Sequence, residues 1–249
     1  MSHFATLVIC KDPNDIDNLL AKYDENMEVE PHISRTKAQI IEDAKAYLAK
    51  AEKKKAAGEE LSDWDKKFLD CKTDEDLYKA NTYEDEEYDK EGNELTTYNP
   101  DSKWDWYSIG GRWGDELRNK DGTLGDIVQL KDLDISPDKA AYDRAIRFWE
   151  IAVEDSPLNP GEEKPFIFYK KEYYTERYRD KYHYAKNQAS FTTYALVTPD
   201  GEWHEKGQMG WFGMSSDTGE DEDKWVEGFT DLIKSCDENC YAVMVDCHI

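Results

Sequence analysis

The chain predicts an α+β fold: an antiparallel sheet with helices on one face and long acidic or helical insertions. Three observations carry that expectation. His3 to Cys10 and Tyr241 to Ile249 are apolar runs of strand length, several stretches repeat their apolar residues at spacings of three and four, and Gly-centred dipeptides separate short apolar or aromatic runs.

Taken in order, His3 to Cys10 reads as a buried strand, and Asp12-Pro13 then opens a short helix carrying Ile16, Leu19 and Leu20. Thr36 caps a long helix that stops at Gly58, with Ile40, Ala44, Leu48 and Ala51 as its apolar stripe. A second polar helical piece and the acidic run from Glu84 to Glu94 follow, so residues 36–98 read as an insertion in a single α+β domain spanning 1–249. Glu91-Gly92, Asp121-Gly122 and Asp200-Gly201 read as hairpin turns. Ser136-Pro137 starts a helix with Ala141, Ala145, Phe148, Trp149 and Ala152 on its buried face, and Tyr173 to Asn187 reads as a Tyr-rich helix. Phe191 to Val197, Trp203 to Lys206, a helix carrying Trp225, Phe229, Leu232 and Ile233, and the strand Tyr241 to Ile249 complete a β–β–α–β ending. With the first strand this predicts a ferredoxin-like arrangement of elements.

Composition narrows the function classes. With 32 basic and 56 acidic side chains the net charge is −24, which repels a nucleic-acid backbone and anionic lipid. The same charge suits a mimic of nucleic acid that occupies another protein's basic groove. No apolar run approaches the roughly 18 residues that span a bilayer, and the first residues lack a basic stretch followed by an apolar one. Five cysteines, at 10, 71, 236, 240 and 247, make no even disulfide framework and fit a reducing cytoplasm. Cys236 and Cys240 have the spacing of half a metal site without a matching pair, so neither a metal nor a cofactor is expected.

Three segments hold the residue types that chemistry needs. In the first, Trp104, Trp106, Tyr107 and Trp113 surround Gly110-Gly111-Arg112. The rings offer stacking surfaces, the glycines allow close backbone approach, and Arg112 can fork onto phosphate or carboxylate. Equally, the rings can fill a core poor in aliphatic side chains. In the second, Trp203 to Gly213, Gly210 and Trp211 repeat the pattern of glycine beside tryptophan. His204 and Glu205 there point to opposite faces of a strand and make no dyad.

The third is Asp246-Cys247-His248, where Asp246 and His248 share a strand face and a carboxylate can orient an imidazole. If the first and last strands pair antiparallel, His3 joins them at one sheet end. His248, Asp246 and His3 are then the catalytic candidates should the protein be an enzyme. The alternative is that both histidines are bonded to backbone or water.

Asn99 to Tyr107 with Gly110-Gly111-Arg112-Trp113, the Gly207-to-Gly213 loop and the ending Val245-Asp246-Cys247-His248-Ile249 resemble an uncharacterised protein family of tailed phages and prophages. The resemblance implies a phage accessory protein acting in the cytoplasm of a bacterial host, with counter-defence as the expected setting. It implies binding of a nucleotide-like small molecule, such as a bacterial immune signal, in a Trp/Gly/Arg-lined pocket. Two other readings stay open: a phosphodiesterase-type hydrolase of such a molecule, and an acidic inhibitor that binds a host defence protein.

Overall fold

The computed structural model describes residues 2–207 and 219–249, and divides into two compact units, Met1–Glu25 with Asp101–Ile249, and Asn26–Pro100. In the first unit β1 (His3–Cys10) leads into α1 (Ile16–Ala21). The second unit holds β2 (His32–Arg35), α2 (Lys37–Ala56), α3 (Asp63–Leu69), α4 (Asp74–Ala80), β3 (Glu87–Tyr88) and β4 (Glu94–Thr96). The chain then returns to the first for β5 (Trp106–Ile109), β6 (Leu117–Arg118), β7 (Leu124–Gly125), β8 (Ile127–Gln129), α5 (Lys139–Ala152) and α6 (Lys171–Arg177). There follow α7 (Lys181–Ala189), β9 (Ala195–Val197), β10 (Trp203–Glu205), α8 (Gly219–Ser235) and β11 (Tyr241–His248).

The fold class is α+β. The main sheet runs in the order β10-β9-β1-β11-β5, and β8 continues the β5 edge of β11. β1 and β11 pair antiparallel over their whole length, from His3 opposite His248 to Cys10 opposite Tyr241. One pairing departs from the antiparallel expectation: β1 and β9 run parallel, with Thr6 to Val8 opposite Ala195 to Val197. That register covers only the middle of β1. Among the described residues its first residues, His3 and Phe4, have no strand on that side.

Helices cover both faces of the sheet, not one as the sequence suggested. On one face Phe229 and Ile233 of α8 pack with Ala5, Leu7, Ile9, Ala242 and Met244. On the other, Ile16 and Leu20 of α1 pack with Phe4, Val8, Cys10, Val243 and Val245. Both central strands are therefore buried almost throughout, which is why they read as continuous apolar runs and not as alternating ones. The residues taken for one Tyr-rich helix form two, α6 and α7, because Asp180 turns its carboxylate back to cap Tyr182 and His183. Trp149, Val153, Tyr174 and Tyr178 form a separate aromatic cluster of α5, α6 and their flanking residues.

In the second unit three capping boxes start the helices: Thr36 with Gln39, Ser62 with Asp65, and Thr73 with Asp76. Ala44, Phe68, Leu77 and Ala80 pack their inner faces together. The expected insertion, 36–98, falls inside this unit. Among the described residues no helix is long and apolar enough to cross a membrane.

Candidate functional site

The site grows from the register of three strands. Directly opposite residues in an antiparallel pair point their side chains to the same face, so His3, His248 and Trp106 form one row across β1, β11 and β5. Ala5, Asp246 and Ser108 form the next. The face is the one covered by α8, since it continues through Leu7 and Met244.

Within these rows two imidazoles are each gripped by a carboxylate. His3 Nδ1 lies 2.8 Å from Asp246 Oδ1, and His248 Nδ1 lies 2.6 Å from Asp105 Oδ1. A carboxylate oxygen accepts, so Nδ1 of each ring is the donor, and in the neutral imidazole Nε2 is the acceptor. The rings of His3 and His248 meet edge-on with centroids 5.0 Å apart. Trp106 stacks on His248 at 5.0 Å and meets His3 edge-on at 5.3 Å. Asp246 is 3% exposed and His248 5%. Among the described residues the buried Nε2 of His248 has no hydrogen-bond partner, an arrangement that costs stability unless something else repays it.

The backbone of the Gly110-Gly111-Arg112 turn holds the Asp246 carboxylate. Its Oδ2 accepts the Arg112 N–H at 3.0 Å. Gly111 has a φ of +57°, and a Cβ there would sit 2.5 Å from Asp246 Oδ2 and 2.7 Å from Ser108 Oγ. Only glycine fits that approach. Gly111 thus makes room for Asp246 and Gly110 for Asp126, two carboxylates of the protein itself, where the sequence suggested that the glycines serve a ligand.

A cavity of about 980 Å³ opens beside this corner, with His3, Trp113, Arg118, Arg144 and Met244 among its walls. Arg118 is tied to Asp134 at 2.8 Å and lies 3.8 Å from Asp138, both cavity residues. Arg144 is exposed and makes no ion pair among the described residues. Asp115 and Glu116 add two more carboxylates to the wall.

Of the residues singled out from sequence, the structure brings His3, Asp246, His248 and Trp106 together and adds Trp113 to the adjoining cavity. Others part company. Trp104 is 7% exposed, lies in the core on the opposite sheet face and donates its indole N–H to the Leu20 carbonyl at 3.2 Å, so it offers no stacking surface. Tyr107 also packs on that opposite face, with its hydroxyl bonded to Asp17; burial first, then this bond, raises its pKa. Arg112 contributes its backbone N–H, while its exposed side chain is absent from the cavity wall. Gly210 and Trp211 lie outside the described residues.

Cys247, between Asp246 and His248, faces the other way. Burial is the main cause that pushes its thiol up to about 12, so it is no thiolate nucleophile at neutral pH. Sequence reasoning missed Asp105, Arg118 and Arg144. Asp105 had a signal, a lone carboxylate between two tryptophans one residue before a strand; the arginines sit on a hairpin and a helix that nothing in the sequence links to His3. No protein-family model, curated protein or solved structure matches the chain.

Proposed function

We propose that the chain is a phosphodiesterase-type hydrolase of a nucleotide-like small molecule, with His3 as general base and Asp246 as the group that orients it. The observation that carries this reading is that His3, which lines a cavity of about 980 Å³, is held at 2.8 Å by the buried Asp246 behind it, the volume being at the top of the usual range for small-molecule sites. His3 Nε2 takes a proton from water as the water oxygen bonds to phosphorus. The imidazolium so formed is stabilised by Asp246 and returns the proton to the departing alkoxide oxygen as the P–O bond breaks. Arg144 supplies a cation to the phosphoryl oxygens.

The charge of the wall favours a diester. Among the described residues Asp115, Glu116, Asp134 and Asp138 share the wall with two arginines, Arg118 and Arg144, so a phosphate bearing one negative charge is repelled less than a terminal monoester bearing nearly two. In the phage setting implied by the sequence resemblance, the substrate would be a nucleotide signal of bacterial immunity. His248, stacked on Trp106, edge-on to His3 and held by Asp105, positions the His3 ring.

The test is turnover. The purified chain is incubated with dinucleotides, cyclic dinucleotides and ADP-ribose, and products are followed by chromatography and phosphorus NMR. Cleavage of at least one, lost in His3→Ala and in Asp246→Asn while both variants keep the wild-type circular dichroism, is the expected result. Tight binding of a ligand recovered intact from wild-type protein would instead establish sequestration, the reading that the cavity volume alone supports.

A further inference from the structure

A second, smaller cavity of about 280 Å³ lies at the same end of the sheet, on the face opposite His3. Phe4, Tyr194 and Trp203 wall it, and the first two also line the large cavity. Phe4 meets Tyr194 edge-on at 5.2 Å and Trp203 at 6.2 Å. Its size admits one ring system and not a whole nucleotide.

One edge of this aromatic chamber is polar and fixed. Glu205 accepts the Trp203 indole N–H at 2.8 Å and an ammonium proton of Lys103 at 3.1 Å. The Lys103 and Glu205 side chains are 34% and 27% exposed, so both are reachable from solvent. A carboxylate has about four acceptor positions and an ammonium three donors. The pair therefore still presents acceptors directly beside donors, held in one orientation by the indole.

We infer that this chamber binds the base of the nucleotide-like substrate, and that the base is guanine. Guanine carries a ring N–H and an exocyclic NH₂ side by side, two donors for Glu205, next to a carbonyl oxygen for Lys103. Adenine and cytosine place an acceptor where guanine has its ring N–H, facing the carboxylate with a lone pair. Uracil has a single N–H flanked by two carbonyls. The aromatic walls supply stacking that every base shares, so the polar edge sets the preference. This inference rests on the hydrolase reading for the rest of the ligand, and Phe4 and Tyr194, which line both cavities, set the base chamber next to the cavity that His3 lines.

The experiment titrates the full chain with GMP, AMP, CMP and UMP, reading tryptophan fluorescence and calorimetric Kd, and repeats the dinucleotide turnover with guanine-containing and guanine-free substrates. The expected result is a preference for GMP of roughly tenfold or more, the scale of a lost hydrogen bond to a charged group. Glu205→Gln, which keeps the size of the side chain, is expected to erase most of that preference without altering the melting temperature, and Trp203→Leu to remove the fluorescence response. His3→Ala keeps the GMP preference. Equal affinity for all four nucleotides, or binding of none, overturns the inference. Guanine-selective binding with no cleaved ester leaves the base site standing and sinks the hydrolase reading; cleavage indifferent to the base does the reverse.

Discussion

His3 and His183 belong to the same unit and are held by a carboxylate at the same distance, 2.8 Å, yet they stand in opposite chemical situations. His183 has both ring nitrogens committed. Its Nδ1 accepts the Arg179 N–H at 3.1 Å, so Nε2 carries the proton that goes to Asp223 Oδ2. Asp223 also accepts from Asn187 at 3.2 Å, and beside it Glu222 accepts from Arg177 at 2.9 Å and from the Tyr178 hydroxyl at 2.8 Å. The whole knot ties α6 and α7 to the start of α8. Among the described residues the second nitrogen of His3 has no hydrogen-bond partner, and the ring lines a cavity. A carboxylate–imidazole pair is therefore a fastening or a base according to what the other nitrogen meets, and the pair alone decides neither.

The largest test of that contrast is to remove each imidazole. His3→Ala is expected to cut turnover by roughly 10²–10⁴-fold, the usual contribution of a positioned general base, with a loss of ~1–3 kcal/mol because the buried Asp246 carboxylate loses its partner. His183→Ala should leave turnover within about twofold while costing a similar ~1–3 kcal/mol, because the Arg179 N–H and Asp223 lose their partner. Denaturant unfolding and product chromatography on both variants read the two quantities. A His183→Ala protein that is stable and inactive would break the comparison.

Gly111→Ala attacks the His3 corner through its backbone. The φ of +57° and the overlap of a Cβ with Asp246 and Ser108 predict a loss of more than ~2 kcal/mol together with impaired turnover. Gly122→Ala is the control. Its φ is +88°, but a Cβ there meets nothing within 4 Å, so only the backbone strain of ~1 kcal/mol is expected, with turnover unchanged. Equal losses at the two glycines would mean that the Asp246 contact carries no weight.

Much of this corner was legible in the sequence because strand parity is a strict rule. Asp246 and His248 share a face whatever the sheet does, and two apolar runs of eight residues that pair antiparallel put His3 beside them. Parity also explains the failures. The strand begins only at Trp106, so alternation does not reach back to Trp104, and a segment read as one stacking surface sends its rings to different places. The unbroken apolar runs of β1 and β11 announced burial on both faces, but which helix covers which face, and the parallel partner of β1, depend on long-range packing that no local pattern encodes.

Acid sharpens the contrast further. Burial pushes the carboxyl pKa values of Asp223 and Glu222 upward, but hydrogen bonds to His183 and Asn187, and to Arg177 and Tyr178, leave both below their usual range. A depressed carboxyl stabilises the fold fully above its unfolded pKa, near 3.9 for Asp and 4.3 for Glu, and that contribution is lost as pH falls through the lower folded value. Asp223→Asn should therefore lower the melting temperature at neutral pH and converge on the wild type as the pH drops below about 4. A difference that persists unchanged at low pH would show that the charge on Asp223 is not what ties the helices.

The smallest effect is expected where a carboxylate has the same wealth of donors and no imidazole at all. In the second unit Asp65 accepts from the Ser62 hydroxyl and N–H at 2.7 and 3.0 Å and from Lys54 at 3.0 Å, and the Ser62 hydroxyl first, then Lys54, hold its pKa down at about 2. This network starts α3 and has no free nitrogen beside a cavity. Ser62→Ala should cost only ~1 kcal/mol, the usual loss for a helix cap, visible as faster amide exchange in α3. Turnover and the exchange of β1 and β11 amides should not move. If turnover fell with Ser62, fastening and function would not be separable in this chain in the way that the contrast between His3 and His183 requires.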